Sequence, residues 1–131
     1  MASRKIEDLV PDLQTLFHEF SMQMHDAGLQ FIVTCTYRSQ DEQDELYARG
    51  RTKPGNKVTW TRNSRHTRRT AFDIALVKDG KVSWDIKADV NNNDIADYEE
   101  AGEIGESVGL EWGGRWKTPD RPHFQLRERT A

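Results

Sequence analysis

Apolar residues Leu9, Leu13, Leu16, Phe17, Phe20 and Met24 recur at three- and four-residue spacing, which predicts an amphipathic helix over residues 6–27 with Gly28 as its stop. The pattern then changes to alternation over residues 31–36, a strand that puts Cys35 on one face with Phe31 and Val33. Ser39 followed by Glu42 is a capping box, so a second helix begins there and runs to about residue 49, with Gly50 at its end. Residues 51–63 are polar, contain Pro54-Gly55 and read as a loop in which Trp60 serves as a hydrophobic plug. Residues 72–77 alternate again, with Phe72, Ile74 and Leu76 facing a core and Asp73 and Ala75 facing away. Asp79-Gly80 is the preferred dipeptide of a type I′ turn and leads into a return strand at residues 82–84. A third helix over residues 95–108 stops at Gly109, a short strand opens at His123, and residues 127–131 read as a frayed tail. The elements predict an α+β domain, with helices packed on one face of a small, mostly antiparallel sheet.

At 131 residues the chain is one ordinary domain, 1–131, with room for a core that needs no disulfide staples. Its lone Cys35 cannot form an internal bridge and reads as a packing residue, not a nucleophile. No apolar run approaches membrane length, and residues 1–5 lead into an amphipathic segment instead of a signal-peptide core. The expectation is a monomer made in the cytoplasm without a membrane anchor, reaching any wall target through another factor. Net charge is only -3, yet residues 51–69 hold seven Lys or Arg and no acid, and residues 89–111 hold eight acids and no base. A basic belt suits an anionic substrate; the acidic balance and the lack of a nucleic-acid fingerprint exclude nucleic acid as the expected partner.

The chemistry concentrates in two short stretches. Residues 64–73 read Ser-Arg-His-Thr-Arg-Arg-Thr-Ala-Phe-Asp, with His66 on a loop and Asp73 at the head of a strand. Asp120 and His123 sit three residues apart at the start of another strand. Together they supply two histidines, one carboxylate and a spare acid. A catalytic zinc site takes three protein ligands, leaves the fourth position to water and keeps a nearby proton acceptor; a structural site would normally close with four protein ligands.

These residues resemble the LAS-type zinc peptidases, which include D-alanyl-D-alanine carboxypeptidases and the L-alanyl-D-glutamate endopeptidases found among phage endolysins. That family's pattern is S-x-H-x-x-G-x-A-x-D, then much later an acid, two residues and a histidine; Ser64, His66, Ala71, Asp73, Asp120 and His123 match it. Tyr37-Arg38-Ser39, Glu42-Gln43 and Leu46-Tyr47 upstream, and Glu111-Trp112-Gly113-Gly114 with Trp116 downstream, are similar too. The resemblance implies a zinc groove on the sheet face away from the helices, with His66, Asp73 and His123 as ligands. Asp120 is then the general base and Arg38 the residue that holds the carbonyl oxygen as it gains charge. Arg69 and Trp116 are expected to contact substrate, and Ser64 either to contact substrate or to orient the metal ligands. The implied substrate is the peptidoglycan stem peptide, cut at L-alanyl-D-glutamate as in a small bacteriolytic endolysin. The alternatives are a D-alanyl-D-alanine carboxypeptidase and a non-catalytic peptidoglycan-binding module. Arg69 stands where the family has glycine, so its backbone is expected to be left-handed if the loop is kept.

One further pattern lies in the acidic segment. Asp89, Asn91, Asn93, Asp97 and Glu100 occupy positions 1, 3, 5, 9 and 12 of an EF-hand-like loop, with the Ile95 carbonyl at position 7. That spacing predicts a Ca2+ site, although Asp94 replaces the glycine of position 6.

Overall fold

The computed structural model describes residues 2–59 and 64–127. The first helix begins later than the periodicity implies. Ile6–Asp8 forms only a 3-10 turn, and α1 spans Pro11–Asp26 with Pro11 at its first turn, where the missing N–H costs nothing. Leu13, Phe17, Phe20 and Met24 form its buried face. β1 (Gln30–Cys35) follows, then α2 (Gln40–Ala48), whose Ser39 and Glu42 complete the expected capping box. β2 (Ala71–Lys78) turns through Asp79 and Gly80, both at positive φ, into β3 (Lys81–Ser83). α3 (Asp97–Ser107) and β4 (Leu110–Trp112) precede β5 (His123–Leu126). β4 went unanticipated, since three residues are too short to show a period.

The sheet is antiparallel throughout, ordered β1-β2-β5-β4, with β3 also pairing β2. β5 and β3 bond to successive halves of β2: Ala71–Asp73 face Gln125–His123, and Leu76–Lys78 face Ser83–Lys81. One face carries the core. The rings of Phe20 and Phe124 lie 4.9 Å apart and those of Phe17 and Phe72 5.1 Å apart, so α1 is held chiefly by aromatic packing. Truncating the fully buried Phe20 to alanine therefore costs about 3–5 kcal/mol. α3 covers the rest of this face. A Cβ on Gly102 would come within 2.2 Å of the Trp112 ring, so only glycine lets the helix approach that closely. The buried Tyr98 hydroxyl donates to Ser83 O (2.7 Å) and accepts from Leu76 N (3.1 Å), tying α3 to β2 and β3.

α2 departs from the expected layering. It contributes nothing to the core cluster, and its Leu46 lines a groove on the opposite side of the sheet. Cys35 is also displaced. The β1–β2 register slips between Val33 and Cys35, so Cys35 pairs with Asp73 and turns to Asp73's face instead of joining Phe31. His18 and His25 are exposed on α1. The plug expected of Trp60 lies outside the described residues, as do residues 128–131 of the expected tail.

Candidate active site

Three strands bring Cys35, Asp73 and His123 abreast, because Asp73 is the direct partner of Cys35 on one side and of His123 on the other. His66 arrives from the 3-10 turn Arg65–Arg68 that feeds β2. Ser64 starts this turn, and its Oγ accepts the His66 amide at 3.1 Å. The hydroxyl is thus engaged in holding the backbone of His66, the orienting role of the two expected for it, while Ser64 also lines the groove.

The donor atoms converge. His66 Nε2 lies 3.2 Å from Asp73 Oδ2, and His123 Nδ1 lies 3.0 Å from Asp73 Oδ1. The two imidazoles are 5.2 Å apart and nearly perpendicular. His66 Nδ1 faces Thr36 O at 3.3 Å and Cys35 Sγ at 3.5 Å. Nε2 is a buried atom without a hydrogen-bond partner, and with a metal there the ring's remaining proton would sit on Nδ1, directed at Thr36 O. An orphaned nitrogen beside a carboxylate and a second imidazole fits a zinc ligand set of two nitrogens and one oxygen. Among the described residues, Cys35, His66 and Asp73 are the only three His, Cys, Asp or Glu side chains whose donor atoms all lie within 4.8 Å of one another, and His123 joins them through Asp73 Oδ1. Cys35 Sγ lies on the Nδ1 side of His66, whereas Asp73 faces its Nε2 and meets His123 through its other oxygen.

The electrostatics follow from this packing. Burial alone would raise the Asp73 pKa, but the imidazoles of His123 and His66 set against its two oxygens outweigh it and hold the carboxyl well below its usual range. Burial would lower that of His66, yet contacts with Asp73 and then Cys35 push it up to about 10. Asp120 stands open to the groove, and its pKa is raised, first by desolvation and then by the charge of Asp73. The groove, of about 950 Å³, holds Arg38, Arg65, Trp116, Lys117 and Asp120 along its walls. Arg38 is aimed by Gln43 Oε1 at 2.7 Å and lies 3.6 Å from Cys35 Sγ. Gln43, fully buried, was part of the matching stretch in sequence, but its role as the partner that aims Arg38 shows only in the fold.

Gly113 likewise matched in sequence without a role being assigned to it. Its carbonyl accepts the Asp120 amide at 2.8 Å, and a Cβ there would lie 2.5 Å from Asp120 O and 3.2 Å from the His123 Cβ. Only glycine lets this segment pass close enough to fix Asp120 and His123 together. Trp116 packs against the His123 ring at 5.1 Å while lining the groove.

Arg69 is a correction. Its backbone is left-handed (φ 62, ψ 27), as expected of the family's glycine position. Its guanidinium lies 3.9 Å over the Tyr37 ring and 3.6 Å from Asp8, so it braces the amino-terminal segment and lines no part of the groove.

The acidic loop folds onto itself. Asp89 accepts from Asn93 N (3.2 Å) and Asp94 N (2.9 Å), and Glu100 Oε1 accepts from Asn91 and Asn93 side chains at 3.0 and 2.8 Å. Asp97 accepts from Val90 N at 3.0 Å. Asp94 adopts φ 65, the turn that glycine makes at position 6, and Asn91 Oδ1 is buried without a partner. The carboxylates do not converge as those around His66 do.

His66, Asp73 and Cys35 thus gather at the floor of a groove on an antiparallel sheet backed by helices, an arrangement able to hold a metal ion. The profile of a peptidase family described as D-alanyl-D-alanine carboxypeptidase matches residues 57–126. Over 105 residues the chain is 46% identical to the peptidoglycan L-alanyl-D-glutamate endopeptidase CwlK of Bacillus subtilis (strain 168), covering 77% of this chain. The chain spans 63% of that protein's length. The crystal structure of the L-Ala D-Glu endopeptidase ChiX of Serratia marcescens matches with a TM-score of 0.72 at 26% identity, covering 97% of this chain and 89% of that one. The chain belongs to this peptidase family.

Proposed function

We propose that the chain is a zinc-dependent peptidase that hydrolyses the L-alanyl-D-glutamate bond of peptidoglycan stem peptides. The observation that carries the reading is the orphaned, buried Nε2 of His66, facing Asp73, whose other oxygen meets His123, on the floor of a groove that also holds Asp120. His66, Asp73 and His123 would hold the metal, with Cys35 behind the His66 ring. Zinc, when bound, polarises a peptide carbonyl and acidifies water at neutral pH.

The chain's own residues do the rest. Asp120, open to the groove and free of coordination, takes a proton from the attacking water at its carboxylate and returns it to the leaving amine. Its raised pKa, set first by desolvation and then by Asp73, suits a group that must accept and then release a proton. Arg38, fixed by Gln43, presents positive charge where the carbonyl oxygen becomes negative. Arg65 and Lys117 line the same groove and attract the carboxylates of a stem peptide. The names of CwlK and ChiX support the L-alanyl-D-glutamate bond; a bacteriolytic, endolysin-like role is part of the same proposal.

The family profile's description favours a second reading, release of terminal D-alanine. Stem peptides ending in D-alanyl-D-alanine separate the two: free D-alanine supports the carboxypeptidase, whereas cleavage after L-alanine supports the endopeptidase. Dialysis against a chelator should abolish either activity, and stoichiometric zinc should restore it.

For the loop at residues 89–100, calcium is proposed as a stabilising ion. The ligand spacing, the left-handed Asp94 and the unpartnered Asn91 Oδ1 support it. Binding requires Glu100 to exchange the Asn91 and Asn93 amides for the ion.

A further inference from the structure

We propose that Glu111 and Gln125 are positioning residues that decide which ring nitrogen of His123 faces the metal. The proposal rests on reading His66, Asp73 and His123 as ligands. His123 Nε2 lies 2.9 Å from Gln125 Oε1, and Gln125 Nε2 donates to Glu111 Oε2 at 3.3 Å. Trp116 Nε1 donates to the same Glu111 oxygen at 3.0 Å, and its ring packs on His123. Gln125 and His123 are both buried, at 5% and 6% exposure, so neither side chain can exchange these partners freely for water.

The direction of the chain follows from donor and acceptor chemistry. A carboxylate only accepts, so the end of the Gln125 amide that meets Glu111 must be its NH2. The amide oxygen then meets His123. An oxygen also only accepts, so His123 Nε2 must carry the proton. Nδ1, which points at Asp73 Oδ1, is left with the lone pair a metal requires. Reversing the amide would set its oxygen against the Glu111 carboxylate and an N–H against Nε2. That arrangement favours the tautomer with its proton on Nδ1, which cannot ligate through that atom. Glu111 therefore acts on the metal through two intervening side chains, and the packed Trp116, tilted 47° to the His123 ring, holds both the carboxylate and the imidazole in place.

The test is zinc affinity, measured by competition with a chromophoric chelator, on Gln125→Met, Glu111→Gln and the double variant. Methionine keeps the volume of Gln125 and removes its acceptor, so zinc binding should weaken about 10–100-fold. E111Q keeps the size and an acceptor for Trp116 but allows either amide orientation, so it should weaken binding several-fold. In the double variant E111Q should add nothing, because the relay is already cut; independent effects would instead add. 15N shifts of zinc-loaded protein should show His123 ligated through Nδ1 in the wild type. Melting of the chelated variants shows that they fold, and if Q125M does not, E111Q alone carries the test. Unchanged affinity in the folded variants, additive losses, or ligation through Nε2 overturns the relay. Failure of the wild type to bind zinc, or full binding by His66→Ala, overturns the metal site itself and is read separately.

Discussion

Arginine in place of glycine at position 69 allows the backbone strain of the metal-bearing loop to be measured. Arg69 has φ 62 and ψ 27, a conformation that costs a residue with a Cβ about 1–2 kcal/mol. Replacement by glycine relieves that strain but gives up roughly 0.4–1 kcal/mol through the greater freedom of the unfolded chain. It also deletes the guanidinium contact with Tyr37, worth about 0.5–1 kcal/mol, and a half-exposed pairing with Asp8 that adds little. Arg69→Gly should therefore lie near the wild type in stability. Arg69→Ala loses the same contacts and keeps the strain. The difference between the two variants isolates the backbone, and glycine should be ahead by about 0.5–1 kcal/mol. For a domain of this size that is a melting-temperature gap of roughly 2–5 °C. Thermal melts of both variants, chelated and zinc-loaded, measure it. An alanine variant as stable as the glycine one would refute the left-handed strain. A loss of substrate affinity in both, without loss of stability, would refute the placement of Arg69 outside the groove.

The other predictions concern charge and ions. Asp120→Asn should lower cleavage at least ~10²-fold with zinc content unchanged. Because the folded Asp120 pKa is raised, its ionised form costs stability once pH exceeds the folded value; the same variant should thus melt higher than wild type at neutral pH when both are chelated. A lower melting temperature would contradict that sign. Arg38→Lys keeps the charge but loses the planar fork, so kcat should fall more than zinc affinity or melting temperature; an unchanged kcat would leave Arg38 a structural role only. In zinc-free protein the His66–Asp73 pairing should contribute fully below pH 6.5 on the histidine side and fade as pH rises through about 10, relative to His66→Gln. Urea titrations across that range test it, and a pH-independent difference would contradict it. Calcium should raise the melting temperature with an increment of RT ln(1 + [L]/Kd), roughly 2.7 kcal/mol at a hundredfold excess; no shift at millimolar calcium rejects the loop as a site.

Which parts were legible in the sequence follows from where the information lies. The capping box at Ser39 and Glu42 and the Asp79-Gly80 turn are local, and both formed where expected. The match at Ser64, His66, Asp73, Asp120 and His123 marked residues that fold into one groove. Helix α1 started late because Pro11 supplies a first turn and the apolar period continues through residues that are not helical. Cys35 was assigned to the wrong face because a register slip in a strand reverses every side chain beyond it, and no residue type announces the slip. Arg69 could be recognised as left-handed from the missing glycine, but its partners Asp8 and Tyr37 lie far off in sequence. Gln43, Glu111 and Gly113 fell in stretches that matched the family, yet what they and Gln125 touch is set by packing over a few ångströms, and spacing along the chain carries no trace of those contacts.

The central claim is tested most directly by the masses of the fragments released when zinc-loaded protein acts on purified muropeptides of known stem sequence. The account predicts a sugar-linked L-alanine and a complementary peptide with a new amino-terminal D-glutamate, both absent after chelation and with Asp120→Asn. Release of D-alanine alone, or undiminished cleavage without metal, would contradict it.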